Sequence, residues 1–104
     1  MKTLMIGWTT TRSVEEARTI SNTLIVKKLA VCVQLEGPIT SFYTWNNKLE
    51  SSTEYRLMIK FIAQNAHKIE EFLKMTSSYD TPEWVAVPAT IVSEKYLQWA
   101  ISSE

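Results

Sequence analysis

The segment Tyr79-Asp80-Thr81-Pro82-Glu83 places a phenol and two carboxylates just ahead of a β-type run. Oxygen donors of this kind bind divalent cations, and a carboxyl beside a phenol can also work as acid and base. The same five residues read equally as a turn, in which Asp80 bonds a nearby amide, Pro82 fixes the backbone and Glu83 is polar at a strand start. Cys32 offers a thiolate, a ligand for soft metals such as copper or a nucleophile. Its neighbours Ala30, Val31 and Val33 favour the plainer role of a small buried hydrophobe. His67 could carry a proton or hold a metal, but helical spacing sets it on a polar side with Glu71 and Lys74. That leaves no plausible Ser/His/Asp set.

Thr9-Thr10-Thr11-Arg12 leads into a helix start, where amides and hydroxyls can hold an anion, yet it lacks the glycines of a phosphate loop. Glu54 and Lys60 read as exposed strand charges. Tyr96 and Trp99, three apart, suit packing more than recognition.

The elements that must position these groups are legible from periodicity. Leu4 to Thr10 predicts a strand. Ser13-Val14-Glu15-Glu16 has the form of a capping box, opening a helix whose apolar positions Val14, Ala17, Ile20 and Leu24 recur every three or four residues and which ends near Lys28. Leu29 to Leu35 suits a strand buried on both faces; Gly37-Pro38 then interrupts it before Ile39 to Trp45, giving one long strand with a kink or bulge. Asn46-Asn47 tolerates the positive φ of a tight turn. Glu54 to Ile62 alternates as a strand whose faces differ. A second helix runs through Ala66, Ile69, Phe72 and Leu73, capped by Asn65. Trp84 to Val92 is a fourth strand that Pro88 assigns to a sheet edge or a bulge, and a helix from about Ser93 to Ser102 closes the chain.

This order is βαββαβ plus a C-terminal helix. Right-handed crossovers favour an α+β, ferredoxin-like split βαβ sandwich, an antiparallel sheet with both main helices on one face. The sequence contains no internal repeat or linker, and 104 residues predict a single domain, 1–104. Eleven Lys and Arg balance eleven Asp and Glu, so no field of one sign draws the chain to nucleic acid or an anionic membrane. The apolar runs fall well short of the roughly 20 residues needed to span a bilayer. Met1 to Thr10 has neither a long apolar core nor a small-residue cleavage site, so no signal peptide is expected, and Cys32 as the only cysteine excludes an internal disulfide; the expectation is a soluble cytoplasmic protein. Four Trp, four Tyr, three Phe and four Met exceed what so small a core encloses, which points to a subunit interface, with the aromatic hairpin around Phe42, Tyr43 and Trp45 as its element.

Taken in order, Thr9-Thr10, Leu29-Ala30-Val31-Cys32-Val33, Ser41-Phe42-Tyr43-Thr44-Trp45 with Lys48, Tyr79-Asp80-Thr81-Pro82-Glu83 and Tyr96-Leu97-Gln98-Trp99 cover nearly the whole chain. Together they resemble the successive signatures of the CutA divalent-cation tolerance family. The resemblance implies a ferredoxin-like subunit similar to the nitrogen-regulatory PII proteins, assembled as a homotrimer in which sheets extend between subunits. It also implies tolerance to copper and other divalent cations, and in animals a role in anchoring acetylcholinesterase to membranes. No enzymatic reaction comes with the family, so no catalytic residue is expected.

Carried over position by position, Cys32 matches the family cysteine, Tyr43 and Trp45 its hairpin aromatics, and Tyr79, Pro82 and Glu83 its loop. The resemblance therefore implies a weak metal site between subunits from Cys32, Glu83 and Tyr79, for Cu(II) or another divalent cation. Three departures stand out: Ser77-Ser78 where many relatives have His-Pro, Asn47 for a common glycine, and Gln34 for a common asparagine. The first removes a histidine ligand. The alternative expectation is a PII-like signalling or scaffold module whose intersubunit clefts take a small anion or a partner's loop, with Thr10 and Lys60 as contacts.

Overall fold

The computed structural model describes residues 2–103. Its elements are β1 (Leu4–Thr11), α1 (Val14–Val26), β2 (Cys32–Trp45), β3 (Lys48–Ile62), α2 (Ala66–Thr76), β4 (Val85–Pro88) and α3 (Glu94–Ser102), with a single 3-10 turn over Ala63–Asn65 before α2. The four strands form one sheet in the order β2-β3-β1-β4, with every neighbouring pair antiparallel. This is the expected ferredoxin-like topology.

Alternation along β3 divides the two faces. Leu57, Ile59 and Phe61 point to the helices and are fully buried with Ala17, Ile20 and Leu24 of α1 and Ile69 and Leu73 of α2. On the opposite face α3 covers one end, where Ala100 closes over Leu4, Val31 and Ile62, with Tyr96, Leu97 and Ile101 beside it. Gly7 is required by packing rather than by φ. A Cβ there would stand 2.5 Å from Trp84 Cη2, and Trp84 lies against Phe61 with ring centroids 5.5 Å apart.

Local signals held where the chemistry was explicit. Ser13 Oγ accepts from Glu16 N at 3.1 Å, the first half of the capping box. Asn46 and Asn47 both take positive φ, 51° and 63°, closing the hairpin. Gly37 takes φ 144° before a cis bond to Pro38, and the β2–β3 register slips between Glu36 and Ile39, so the kink is a bulge.

Several boundaries differ. α1 stops at Val26, because Lys28 turns left-handed at φ 58° and the amides of Leu29 and Ala30 fold back on Leu24 O. Strand β2 begins at Cys32 rather than Leu29, and it is an edge strand, not one buried on both faces. β3 starts six residues earlier than its apolar alternation, since the turn propagates pairing through Lys48–Thr53, polar apart from Leu49. Asn65 does not cap α2; its amide donates to Lys28 O and Leu29 O and ties the loop after α1 to the start of α2. β4 covers only Val85–Pro88, an edge strand that ends at its proline.

Beyond the bulge, Ile39–Trp45 pairs only with Lys48–Glu54, while β1 meets β3 from Tyr55 onward. The hairpin is thus a two-stranded arm projecting from the four-stranded body, and the molecule measures 45 × 26 × 23 Å.

Candidate functional site

The arm, the end of β1 and the loop between α2 and β4 enclose an open cleft of about 990 Å³. Its floor is Glu54, the last residue of β3 before the body. Counting back from the turn pairs Glu54 with Ile39 and puts Ser41 two residues along on the same face. Side-chain hydrogen bonds from Ser41, Tyr79 and Thr10 converge on this carboxylate. Tyr79 Oη donates to Glu54 Oε2 at 2.7 Å. Burial raises the Glu54 pKa, but the three hydroxyls outweigh it and hold the group below the ordinary carboxylate value. Tyr79 responds in the opposite sense. Burial, the hydrogen bond it gives to Glu54 and the charge of Glu54 all push its phenol up, against the opposing pull of Arg12, so it remains a donor.

Two contacts fix the Tyr79 loop. Glu16 of α1 accepts from Ser78 N at 2.7 Å and Ser78 Oγ at 3.0 Å, and from Arg12 N at 3.3 Å. The second half of the expected capping box is therefore spent on the loop and on Arg12. The Arg12 guanidinium in turn lies over the Tyr79 ring, 4.7 Å from its centroid. Glu83 lines the same cleft. Burial and then the negative charge of Glu54 raise its pKa, while Arg56 opposes them. Glu83 is nonetheless exposed, so water screens that repulsion. An exposed Glu83 also argues against the acid and base reading of this segment, which requires a closed apolar pocket.

Tyr79 and Glu83 thus share one cleft, and Cys32 does not join them. It sits opposite Lys60 on β3, half-buried against the cluster under α3. Six residues of strand separate Lys60 from Glu54, about 20 Å. No group of three or more His, Cys, Asp or Glu side chains that could hold a metal occurs among the described residues. His67 is on the surface, its side chain 99% exposed. Of the two contacts expected for an anion, Thr10 is in the cleft, whereas Lys60 is beneath α3 with Nζ 3.3 Å from Tyr96 Oη and 5.2 Å from the ring centroid.

Sequence reasoning gave Glu54, Glu16, Arg12 and Ser41 other roles and did not join them to Tyr79 in one site. Glu54 reads as an exposed strand charge, yet three hydroxyls organise it. The signal was available in the register: counting from Asn46-Asn47 aligns Ser41 and Glu54 on one face. The partnership of Glu16 with Ser78, 62 residues away, leaves no local trace.

A protein-family model described as "CutA1 divalent ion tolerance protein" matches residues 5–103. The chain is 36% identical over 90 residues to the divalent-cation tolerance protein CutA of Archaeoglobus fulgidus, covering 86% of this chain and 87% of that protein. It is 32% identical over 99 residues to the chloroplastic protein CutA of Arabidopsis thaliana, covering 95% of this chain but only about half, 54%, of that protein. Among solved structures, the divalent ion tolerance protein CutA1 of Ehrlichia chaffeensis superposes with a TM-score of 0.93 at 29% identity, over 99% of this chain and 96% of that one. The fold, the order of the motifs and these matches agree, and the chain belongs to the CutA1 divalent ion tolerance protein family.

Proposed function

We propose that the protein acts in tolerance to divalent cations, copper first among them, as a non-enzymatic homotrimer of a single domain. The observation that carries this reading is the family match across nearly the whole chain. Two features of the fold support assembly. A two-stranded hairpin alone is marginal in water, and this arm exposes Phe42, Trp45 and Leu49 at 75%, 55% and 83%. At the other edge of the sheet, strand β4 leaves Val85 and Val87 exposed.

The metal would be held between subunits, Cys32 coming from one chain and Glu83 with Tyr79 from the next. One chain cannot bring these residues together, so the site depends on assembly. The donor set fits a weak site. A thiolate and a carboxylate are ligands for copper, but the Tyr79 phenol is held protonated and already donates to Glu54, so it orients the carboxylates rather than serving as a strong ligand. No histidine stands in the loop, where Ser77 and Ser78 occupy the positions. The lone cysteine suits a reducing compartment, and we place the protein in the cytoplasm; fractionation with a compartment marker checks this, since relatives carry the descriptions chloroplastic and periplasmic.

Calorimetric titration of Cu(II) into the purified assembly tests the metal reading. Saturable binding that Cys32→Ser with Glu83→Ala abolishes supports it; no saturation, or binding indifferent to both changes, removes the site.

A further inference from the structure

One chain of contacts runs from the arm to the first turn of α1. Glu54 collects hydroxyls from three elements: Ser41 on the arm strand of β2, Thr10 at the end of β1, and Tyr79 on the loop after α2, the last at 2.7 Å. The Tyr79 ring lies under the Arg12 guanidinium, Arg12 N donates to Glu16 Oε1, and Glu16 accepts from both Ser78 N and Ser78 Oγ. Tyr79 N completes the circuit by donating to Ser77 Oγ at 3.0 Å. Past Tyr79 the loop is bare. Among the described residues, no hydrogen bond involves Asp80, Thr81, Pro82 or Glu83. The segment 80–83 is therefore held at its two ends, by Tyr79 on Glu54 and by Trp84 against Phe61.

We propose that Glu54 is a positioning residue that couples the arm to the Tyr79 loop, so that seating the arm against a neighbouring subunit also sets the place of the loop that carries Tyr79 and Glu83. Three observations carry it. The acceptor is shared: Ser41 from the arm and Tyr79 from the loop reach one carboxylate, so neither side shifts without displacing the acceptor of the other. The arm side of this node depends on outside cover. A two-stranded ribbon is marginal in water by itself, and this one leaves the four-stranded body at Glu54. The loop side has few holds, because releasing Tyr79 from Glu54 leaves the segment 80–83 anchored at Trp84 alone. The coupling is reciprocal, and whatever fixes the loop also favours the seated arm. Phe42 and Trp45 are left to the neighbouring subunit. The inference rests on the proposed assembly and requires neither Cys32 nor a metal.

Native-state hydrogen exchange, read amide by amide, tests the coupling. In the wild-type assembly at low denaturant, the arm amides and those of Ser78 and Tyr79 should open together, with one dependence on denaturant; this needs no substitution. Ser41→Ala, a change on the arm, should speed exchange at Ser78 and Tyr79 roughly three- to tenfold, and Tyr79→Phe should do the same to the arm. The amides of Leu29, Val31 and Ala63, bonded to Leu24 O, Lys60 O and Thr3 O at the opposite end of the body, should stay within about twofold in both variants. The double variant should speed neither segment beyond the larger single effect, since both changes act through one carboxylate. Trp45→Ala reads the link to assembly: as dilution separates its subunits, exchange in the loop should rise. Separate openings in the wild type, or a response confined to the substituted side, overturn the proposal. So does a uniform rise that includes Leu29, Val31 and Ala63, or a loop indifferent to dissociation. The two readings fail separately. A lone chain in solution sinks the assembly, and coupled exchange in that chain still supports Glu54 as the node; uncoupled exchange in an intact assembly sinks the node alone.

Discussion

Strand β3 passes through two environments in 15 residues. In the body its Leu57, Ile59 and Phe61 have no exposed surface. In the arm the same strand, eight residues before Leu57, carries Leu49 almost fully open and pairs with the strand that bears the exposed rings of Phe42 and Trp45. Backbone pairing is continuous across both, apart from the bulge at Glu36/Ile39. The difference is cover: α1 and α2 close over the body, and among the described residues no helix closes over the arm. The body closes its own core, and the arm is the surface that the proposed assembly would complete.

The largest expected effect lies in the body. Phe61→Ala should cost about 3–5 kcal/mol, read from the denaturant midpoint, because the ring fills the space between Trp84 and the sheet. A loss under about 1 kcal/mol would mean that the body tolerates a void and that the contrast with the arm is false. Trp45→Ala should weaken assembly by about 2 kcal/mol while leaving the secondary structure of the body unchanged. Light scattering at falling protein concentration reads this, and an undisturbed assembly would assign Trp45 to the monomer.

At the junction of body and arm, Glu54→Gln should cost on the order of 1 kcal/mol at pH 7, since three hydroxyls lose an ionised acceptor. The sign follows from its lowered folded pKa. Wild-type stability from this group is present above its ordinary value of 4.5 and disappears as pH falls through the folded value, so the variant should have a flatter acid limb. Glu83 is the smallest effect and opposite in sign. Its raised folded pKa means that ionisation disfavours the folded chain, and Glu83→Gln should be neutral or slightly stabilising at pH 7, the gain vanishing below pH 4.5. A destabilised Glu83→Gln would mean that Arg56 pairs with it more strongly than Glu54 repels it.

Much of the body was legible because its signals are local. The three- and four-residue spacing of Ala17, Ile20 and Leu24, the alternation of Leu57, Ile59 and Phe61, and Asn46-Asn47 each state their own conformation. The arm was half legible. Its turn and aromatics were plain, but Lys48–Thr53 is polar apart from Leu49, and only propagation from the turn makes it a strand. The bulge at Gly37-Pro38 was visible and its consequence was not, since β2 lies at the edge rather than in the middle of the sheet. For the site, Tyr79 and Glu83 were read from their motif and do share a cleft, whereas Cys32 belongs to the other end of the sheet within one chain. Glu54 and Glu16 escaped because their partners Tyr79 and Ser78 are 25 and 62 residues away. Sequence spacing encodes helix faces and strand faces; it does not encode which loop lands on them.

The contrast between a finished body and an unfinished arm is tested most directly by the mass of the wild-type protein in solution, by sedimentation equilibrium at micromolar concentration. The account predicts a single species of three copies of the 12.0 kDa chain. A stable 12.0 kDa species, with the rings of Phe42 and Trp45 open to solvent, would contradict it.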